Sequence, residues 1–149
     1  MRLSRWSSIS LIAIALTACT DTLDPNTIPG VFYLHDINGR LLPTYQAATP
    51  GLTVTVKSAG LSLDFSGPAQ LFQSVTQFDG TDATITSNYT YRLKDHDLIF
   101  ELSPPCPINA ICGSPPTGRM PSENFVDLEI GRIDNVPIVY HFQRQTIGY

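Results

Sequence analysis

In this 149-residue chain, the residues best suited to covalent bonding, metal binding or proton transfer are three cysteines and three histidines. They are Cys19, Cys106, Cys112, His35, His96 and His141. No histidine has a second ligand at the spacing of a metal site, and the Gly-x-Ser-x-Gly, His-Glu-x-x-His and glycine-rich phosphate-binding motifs are absent. From the motifs we predict no catalytic residue, no metal site and no cofactor.

The carboxylates do not form a catalytic pair either. Asp127 and Glu129, like Asp95 and Asp97, are two residues apart, so within a strand both members of a pair lie on one solvated face, where burial does not tune the pKa. The whole chain has 13 Asp plus Glu against 9 Lys plus Arg, the opposite of the basic surface that binds nucleic acid. We expect a non-enzymatic protein without a nucleic-acid partner.

The first 19 residues combine the parts of an export signal. Arg2 and Arg5 precede an apolar run from Ile9 to Leu16, which is shorter than the roughly 20 residues of a membrane-spanning helix. The run ends in Leu16-Thr17-Ala18-Cys19, which resembles the lipobox of bacterial lipoproteins. The resemblance implies a signal peptide over residues 1–18 and a diacylglyceryl group, often with a palmitate-type N-acyl chain, on Cys19. The alternative is an ordinary cleaved signal peptide followed by a chance cysteine.

The lipoprotein resemblance also implies a location in the cell envelope, where acyl chains on Cys19 anchor the protein in a membrane. Thr20 follows the cysteine, and because Asp at this place favours inner-membrane retention in this family, the outer membrane is the better expectation. The domain would then lie in the periplasm or at the cell surface. Residues 19–29, which contain two prolines and no apolar period, are predicted to be a flexible tether.

Residues 103–121 are predicted to be a long surface loop that holds six of the twelve prolines together with Cys106 and Cys112. In an exported lipoprotein whose Cys19 is acylated, these two would be the remaining thiols, and the oxidising compartment favours a disulfide between them. A metal site is the alternative, although the loop contains no histidine. Ile108 and Ile111 are the candidate contacts for a protein partner. The loop is equally well interpreted as an insertion with no function of its own.

From residue 31 onward the apolar residues recur with the period of two that is typical of strands. Three hairpins are predicted, with turns at Ser58-Ala59-Gly60, at residues 94–97 and at Asp134-Asn135, and two weaker strands end at Asn38-Gly39 and Asp79-Gly80. About eight strands with short connections indicate an all-β domain over residues 30–149, a small antiparallel up-and-down barrel. A β-sandwich is the alternative.

The strand order is loosely similar to that of the lipocalin-like barrel lipoproteins, although the Gly-x-Trp motif of true lipocalins is absent because Val31 and Phe32 follow Gly30. That similarity implies a carrier of a small apolar ligand, with Tyr89, Tyr91 and Tyr140 as candidate lining of a cavity. Alternatively, the inward-facing side chains fill a narrow barrel. Their predicted set is Leu52, Val54, Leu63, Phe65, Ile85, Tyr89, Phe100, Leu128, Ile138 and Phe142.

The leading hypothesis is a lipid-anchored envelope protein that binds a protein partner or a small apolar ligand without catalysis. A hydrolase or isomerase is a lesser alternative. It would have to use His35, Asp36 or His141, because the first and last strands of a closed barrel are neighbours and bring these residues together.

Overall fold

The computed structural model describes residues 23–49, 52–110 and 112–145, and these residues form ten strands and no helix. The strands are β1 (Gly30–Ile37), β2 (Arg40–Leu41), β3 (Thr44–Thr49), β4 (Leu52–Leu63), β5 (Pro68–Thr76), β6 (Asp82–Lys94), β7 (Asp97–Leu102), β8 (Thr117–Ser122), β9 (Phe125–Ile133) and β10 (Val136–Arg144). The predicted signal peptide, Cys19 and Ile111 lie outside the described residues. Within the described ranges, no helix is long and apolar enough to cross a membrane.

Eight of the strands close into an antiparallel up-and-down barrel, as the sequence predicted, and not into a sandwich. Strands β4 to β9 each pair with the next in the chain, β10 pairs with β1, and β1 pairs with β4. This last pairing is short and runs from Gly30 opposite Leu63 to Tyr33 opposite Gly60. The remaining two strands, β2 and β3, pair with the edges of β1 and β4 beyond that seam.

The predicted hairpin turn at Ser58-Ala59-Gly60 is wrong, because β4 continues through it to Leu63. The pairing of β4 with β5 shifts register between Val56 and Ser58, which is the mark of a β-bulge. The extra residue reverses the inward parity, so Val56 is buried before the bulge and Ala59 and Leu61 are buried after it. The change of inward parity within β4 therefore gives the same sequence pattern as two strands joined by a turn.

The other predicted turns are confirmed, and the backbone conformation of several of them explains why Asn and Asp occupy them. Asn38, Asp95, Asp134 and Asn135 all have positive φ, a conformation that Asn and Asp tolerate better than most residues. Asn38 also connects the turn after β1 to β10, because its Nδ2 donates to Pro137 O at 3.0 Å and its Oδ1 accepts from Val139 N at 2.8 Å.

The barrel interior is filled by side chains from all eight strands. The largest fully buried ones are Tyr140, Phe32, Phe142, Ile28, Leu61, Leu98, Met120, Leu128, Val56 and Val126. Of the predicted inward set, Leu63, Tyr89, Phe100, Leu128 and Phe142 are buried. Phe65 and Ile85 are exposed instead, because Phe65 lies in the turn after β4 and Ile85 lies near the outer end of β6.

The alternating connections define two ends of the barrel. The entry end, where the described chain begins, holds residues 23–29 and the turns at 64–67, 95–96 and 123–124. Thr27 Oγ1 donates to the Glu123 carboxylate at 2.9 Å and Tyr91 OH donates to Asp64 O at 2.9 Å, which ties these segments together. The far end holds the connections β5–β6, β7–β8 and β9–β10.

Residues 24–29 belong to the folded domain, although the sequence predicted a flexible tether that extends to residue 29. Ile28 is buried, and the Arg144 guanidinium donates to the carbonyl oxygens of Thr27, Ile28 and Pro29 at 2.7, 3.0 and 2.9 Å. Leu23 packs against the core as well. The stretch between Cys19 and the packed domain is therefore much shorter than expected.

Candidate functional site

The disulfide between Cys106 and Cys112 is present, with an S–S distance of 2.13 Å and a Cα–Cα distance of 6.0 Å. The two sulfur atoms are bonded to each other, so this pair of cysteines does not form the alternative metal site. The loop is shorter than the predicted 103–121, because β8 begins at Thr117 and Met120 is fully buried in the core. The connection proper, residues 103–116, joins β7 to β8 at the far end.

The disulfide loop, residues 106–112, presents an apolar side chain to solvent. Ile108 is 94% exposed and follows Pro107, whose carbonyl oxygen accepts from Ala110 N at 3.1 Å to close a tight turn. Asn109 in that turn has a φ of 68°. Isoleucine held in the open by a turn and a disulfide is available for contact with another molecule, whereas its predicted companion Ile111 lies outside the described residues.

The three tyrosines proposed as cavity lining occupy separate positions. Tyr89 is buried with its ring edge-on to Phe100, and the two ring centroids are 5.8 Å apart. Tyr140 is completely buried, and its hydroxyl accepts from Gln73 Nε2 at 2.8 Å. Burial raises the pKa of Tyr140 far above its ordinary value, and the hydrogen bond from Gln73 opposes this only partly. Both side chains are part of the packed core.

Tyr91 lies at the entry end and lines a groove of about 740 Å³ on the surface there. Burial raises the pKa of Tyr91, and the nearby Asp64 carboxylate raises it further. The apolar lining of this entry-end groove consists of Leu23, Pro25, Ile28, Phe65, Tyr91 and Leu93. Sequence reasoning missed the groove because it assigned Leu23 to a tether and Phe65 to the core.

Two histidines and two carboxylates meet on the outside of β1, β10 and β9. His35 Nδ1 donates to Asp36 Oδ2 at 3.0 Å, and His141 Nδ1 donates to Asp127 Oδ1 at 2.7 Å. The second ring nitrogen of His141 faces Asp36 Oδ1 at 3.9 Å. His35 and His141 are therefore near each other, as expected, because both face the carboxylate of Asp36.

Asp36 is the most enclosed member of this cluster, since 16% of its side chain is exposed. Burial acts to raise its pKa, but the hydrogen bonds from His35 and from Gly39 N, together with the charge of His141, outweigh it and lower the pKa overall. The arrangement holds an ionised carboxylate at the surface.

The cluster is the start of a row of charged residues that crosses six strands. The strand register places Asp36 beside His141, His141 beside Asp127, Asp127 beside Arg119, Arg119 beside Asp97 and Asp97 beside Lys94. Carboxylates alternate with basic side chains, an arrangement in which each cross-strand neighbour is favourable. The row thus supports the register of the barrel, and sequence reasoning missed it because the partners come from distant hairpins.

The described residues place no nucleophilic side chain next to this cluster for acid–base catalysis to activate. No hydroxyl or thiol in the described part of the chain hydrogen-bonds to His35 or His141. Across residues 23–49, 52–110 and 112–145, no group of three or more His, Cys, Asp or Glu side chains is arranged to hold a metal ion. What the arrangement can do is hold three neighbouring strands in register.

Comparison of the chain with known protein families, with curated proteins and with solved structures found no match.

Proposed function

We propose that the protein is a lipid-anchored, non-enzymatic protein of the cell envelope that presents the disulfide loop to a protein partner. The observation that carries the proposal is the exposed Ile108, held on a tight turn inside the ring closed by the Cys106–Cys112 disulfide. The described chain begins at the entry end, a few residues after Cys19, whereas the ring belongs to the β7–β8 connection. Acyl chains on Cys19 would hold the barrel at the membrane, and Ile108 would be its exposed contact for a partner.

The filled interior supports an interaction module over a carrier of an apolar ligand. Tyr89, Phe100, Met120, Tyr140 and Phe142 occupy the space that a ligand would need. Small barrels of eight strands are filled by side chains or hold one small ligand, and this barrel is of the first kind. Its role is that of a rigid body between the anchor and the loop.

The charge of the mature chain is consistent with anchoring by lipid. Removal of residues 1–18 takes away Arg2 and Arg5, which leaves 7 basic residues against 13 carboxylates and a formal net charge of −6. A protein with this charge is not attracted electrostatically to anionic lipid, so stable attachment requires the acyl chains. The outer membrane remains the proposed location because Thr20 follows Cys19.

The anchor is tested by the intact mass of the protein purified from the membrane fraction of a bacterial host. We expect a chain that begins at Cys19 and carries the added mass of a diacylglyceryl group. Cys19→Ser should abolish that mass and release the protein from the membrane fraction. A mature wild-type chain without lipid mass would overturn the lipoprotein assignment.

The role of the loop is tested with a photo-crosslinking amino acid at Ile108. The matched control is Val136, a 60% exposed aliphatic residue at the start of β10. We expect one discrete crosslinked envelope protein from position 108, none from position 136, and loss of the product when Cys106 and Cys112 are replaced by Ser. Equal labelling from both positions would contradict a specific loop contact.

A further inference from the structure

The entry end carries an exposed phenylalanine on a well-defined turn. Phe65 is 77% exposed in the turn between β4 and β5. Gly67 N donates to Asp64 O at 3.1 Å and Asp64 N donates to Pro68 O at 2.9 Å, so the backbone on both sides of Phe65 is fixed. Tyr91 adds a third bond to the same turn through Asp64 O. An aromatic ring held rigidly in water exposes apolar surface that contact with an apolar phase would remove.

The ring stands beside the apolar side chains of the entry-end groove, so the exposed surface is continuous. Leu23, Ile28, Tyr91 and Leu93 line the groove together with Phe65. These residues come from three separate segments, the entry segment, the β4–β5 turn and the end of β6. The entry end therefore presents a partly exposed apolar surface around Phe65, which Arg92, Asp95 and His96 border.

The distance from this face to the proposed anchor is limited by covalent geometry. Leu23 follows Cys19 by four positions, so even a fully extended chain places the two Cα atoms at most about 14 Å apart. Leu23 itself packs against the barrel core. If Cys19 carries acyl chains in a bilayer, Leu23 at the entry end therefore lies within about 14 Å of the anchored cysteine.

We propose that the entry end docks on the phospholipid surface, with the Phe65 ring inserted at the boundary between headgroups and acyl chains. The proposal rests on the lipid anchor at Cys19 proposed above. Aromatic rings are favoured at this depth of a bilayer, and insertion by roughly 5–10 Å is typical of interfacial apolar faces. Docking fixes the orientation of the barrel relative to the membrane.

The charges at this end indicate that docking is apolar in character. Among the described residues there, five carboxylates stand against three basic side chains, namely Asp24, Asp64, Asp95, Asp97 and Glu123 against Arg92, Lys94 and Arg144. A face with a small net negative charge gains nothing from anionic headgroups. Docking should therefore be insensitive to ionic strength, unlike the binding of a basic patch.

The absence of tryptophan from the mature chain gives a clean test, since the single Trp is Trp6 in the predicted signal peptide. Phe65→Trp places one fluorophore on the entry end. Phe78→Trp is the matched control, because Phe78 is 68% exposed in the turn between β5 and β6 at the far end. Each acylated mature variant, which begins at Cys19, is reconstituted in phosphatidylcholine vesicles with and without chain-brominated phosphatidylcholine.

We expect brominated lipid to reduce the emission of Phe65→Trp by about twofold or more, the response of a ring at interfacial depth, and to leave Phe78→Trp unchanged. The quenching should be the same in 0.1 M and 1 M salt, to within about 20%. Equal quenching of the two variants, or none at position 65, overturns docking. A blue-shifted Phe65→Trp that brominated vesicles do not quench also overturns it, because the groove then holds an acyl chain of the protein itself.

Failure of the anchor and failure of docking give different results. The mass of each preparation is measured before reconstitution. A chain without lipid mass overturns the proposed function, whereas an acylated Phe65→Trp variant that brominated lipid does not quench overturns docking alone.

Discussion

The guanidinium carbon of Arg144 lies 4.5 Å from the centre of the Phe32 ring, so the last residue of β10 stacks on the first buried aromatic of β1. From this position the same group donates to three carbonyl oxygens of the entry segment and, through Nε, to Glu123 O at 2.9 Å. One side chain therefore joins the chain entry, the barrel seam and the β8–β9 turn.

Arg144→Lys should lower the free energy of unfolding by about 2 kcal/mol, because an ammonium group cannot reproduce the planar fork of hydrogen bonds. Urea unfolding measures this loss, and hydrogen exchange should show faster exchange at the amide of Thr27, which donates to Asp24 O. The matched control is Arg132→Lys, whose ion pair with Glu129 at 2.7 Å is on the surface and should contribute less than about 0.5 kcal/mol. Equal losses in the two variants would contradict a specific role for Arg144.

Gly60→Ala should destabilise the barrel by about 1 kcal/mol through overpacking. The Phe72 ring, on the strand opposite, covers Gly60 so closely that an added Cβ would overlap its ring atoms. The ring is only partly buried, and we expect its displacement toward solvent to limit the cost. Gly131→Ala in β9 is the control, because nothing lies within 4 Å of the position of its Cβ, and we expect a change within about 0.5 kcal/mol. A neutral Gly60→Ala would show that the ring moves without cost.

Asp36 should make stability depend on pH in the acid range. Because its folded-state pKa is lowered, its contribution is fully present above the unfolded-state pKa of about 4 and is lost as the pH falls through the folded-state value. The free energy of unfolding of the wild type, measured in urea from pH 6 to pH 3, should therefore fall more steeply than that of Asp36→Asn. Glu101→Gln, at an exposed position of β7, should follow the wild type. Parallel curves for the wild type and Asp36→Asn would refute the role of Asp36.

Loss of the disulfide should affect the loop more than the barrel. Cys106 and Cys112 are six residues apart, and a ring of this size stabilises by about 2 kcal/mol in the chain-entropy model. We expect the double Ser variant and the reduced wild type to lose this amount in urea unfolding and to keep the β-sheet circular dichroism spectrum. A loss above about 4 kcal/mol would mean that the barrel itself depends on the bridge.

Local patterns in the sequence predicted much of the fold. Alternation located β6, β7, β9 and β10 closely, whereas β8 was predicted as part of the loop, and the Asn38-Gly39 and Asp134-Asn135 turns follow from the positive φ that these residues accept. The bulge in β4 could not be predicted, because an extra residue changes parity without any change in composition. The sequence placed Phe65 inside the barrel for a different reason, because the parity of Leu61 and Leu63 extends to it although β4 ends at Leu63.

Long-range partners were the other part that the sequence could not provide. The contact between Asp36 and His141 needs the register of β1 on β10, and the hold of Arg144 on Ile28 joins residues 116 positions apart. The local periodicity of the sequence contains no information about such pairings, because they depend on how the barrel closes. The disulfide was predictable because it is local and because its two cysteines lie in a loop of unusual composition.

The seam between the first and last strands also determines when the protein can fold. Strand β1 hydrogen-bonds to β10 along most of its length and to β4 over only four residues, so until β10 has been made, one side of β1 has no partner. A sheet that closes on its final strand has many contacts between distant parts of the chain and folds slowly. The barrel therefore cannot be completed while its last strand is still being synthesised, and the proposed export of the protein in an unfolded form would be compatible with this delay.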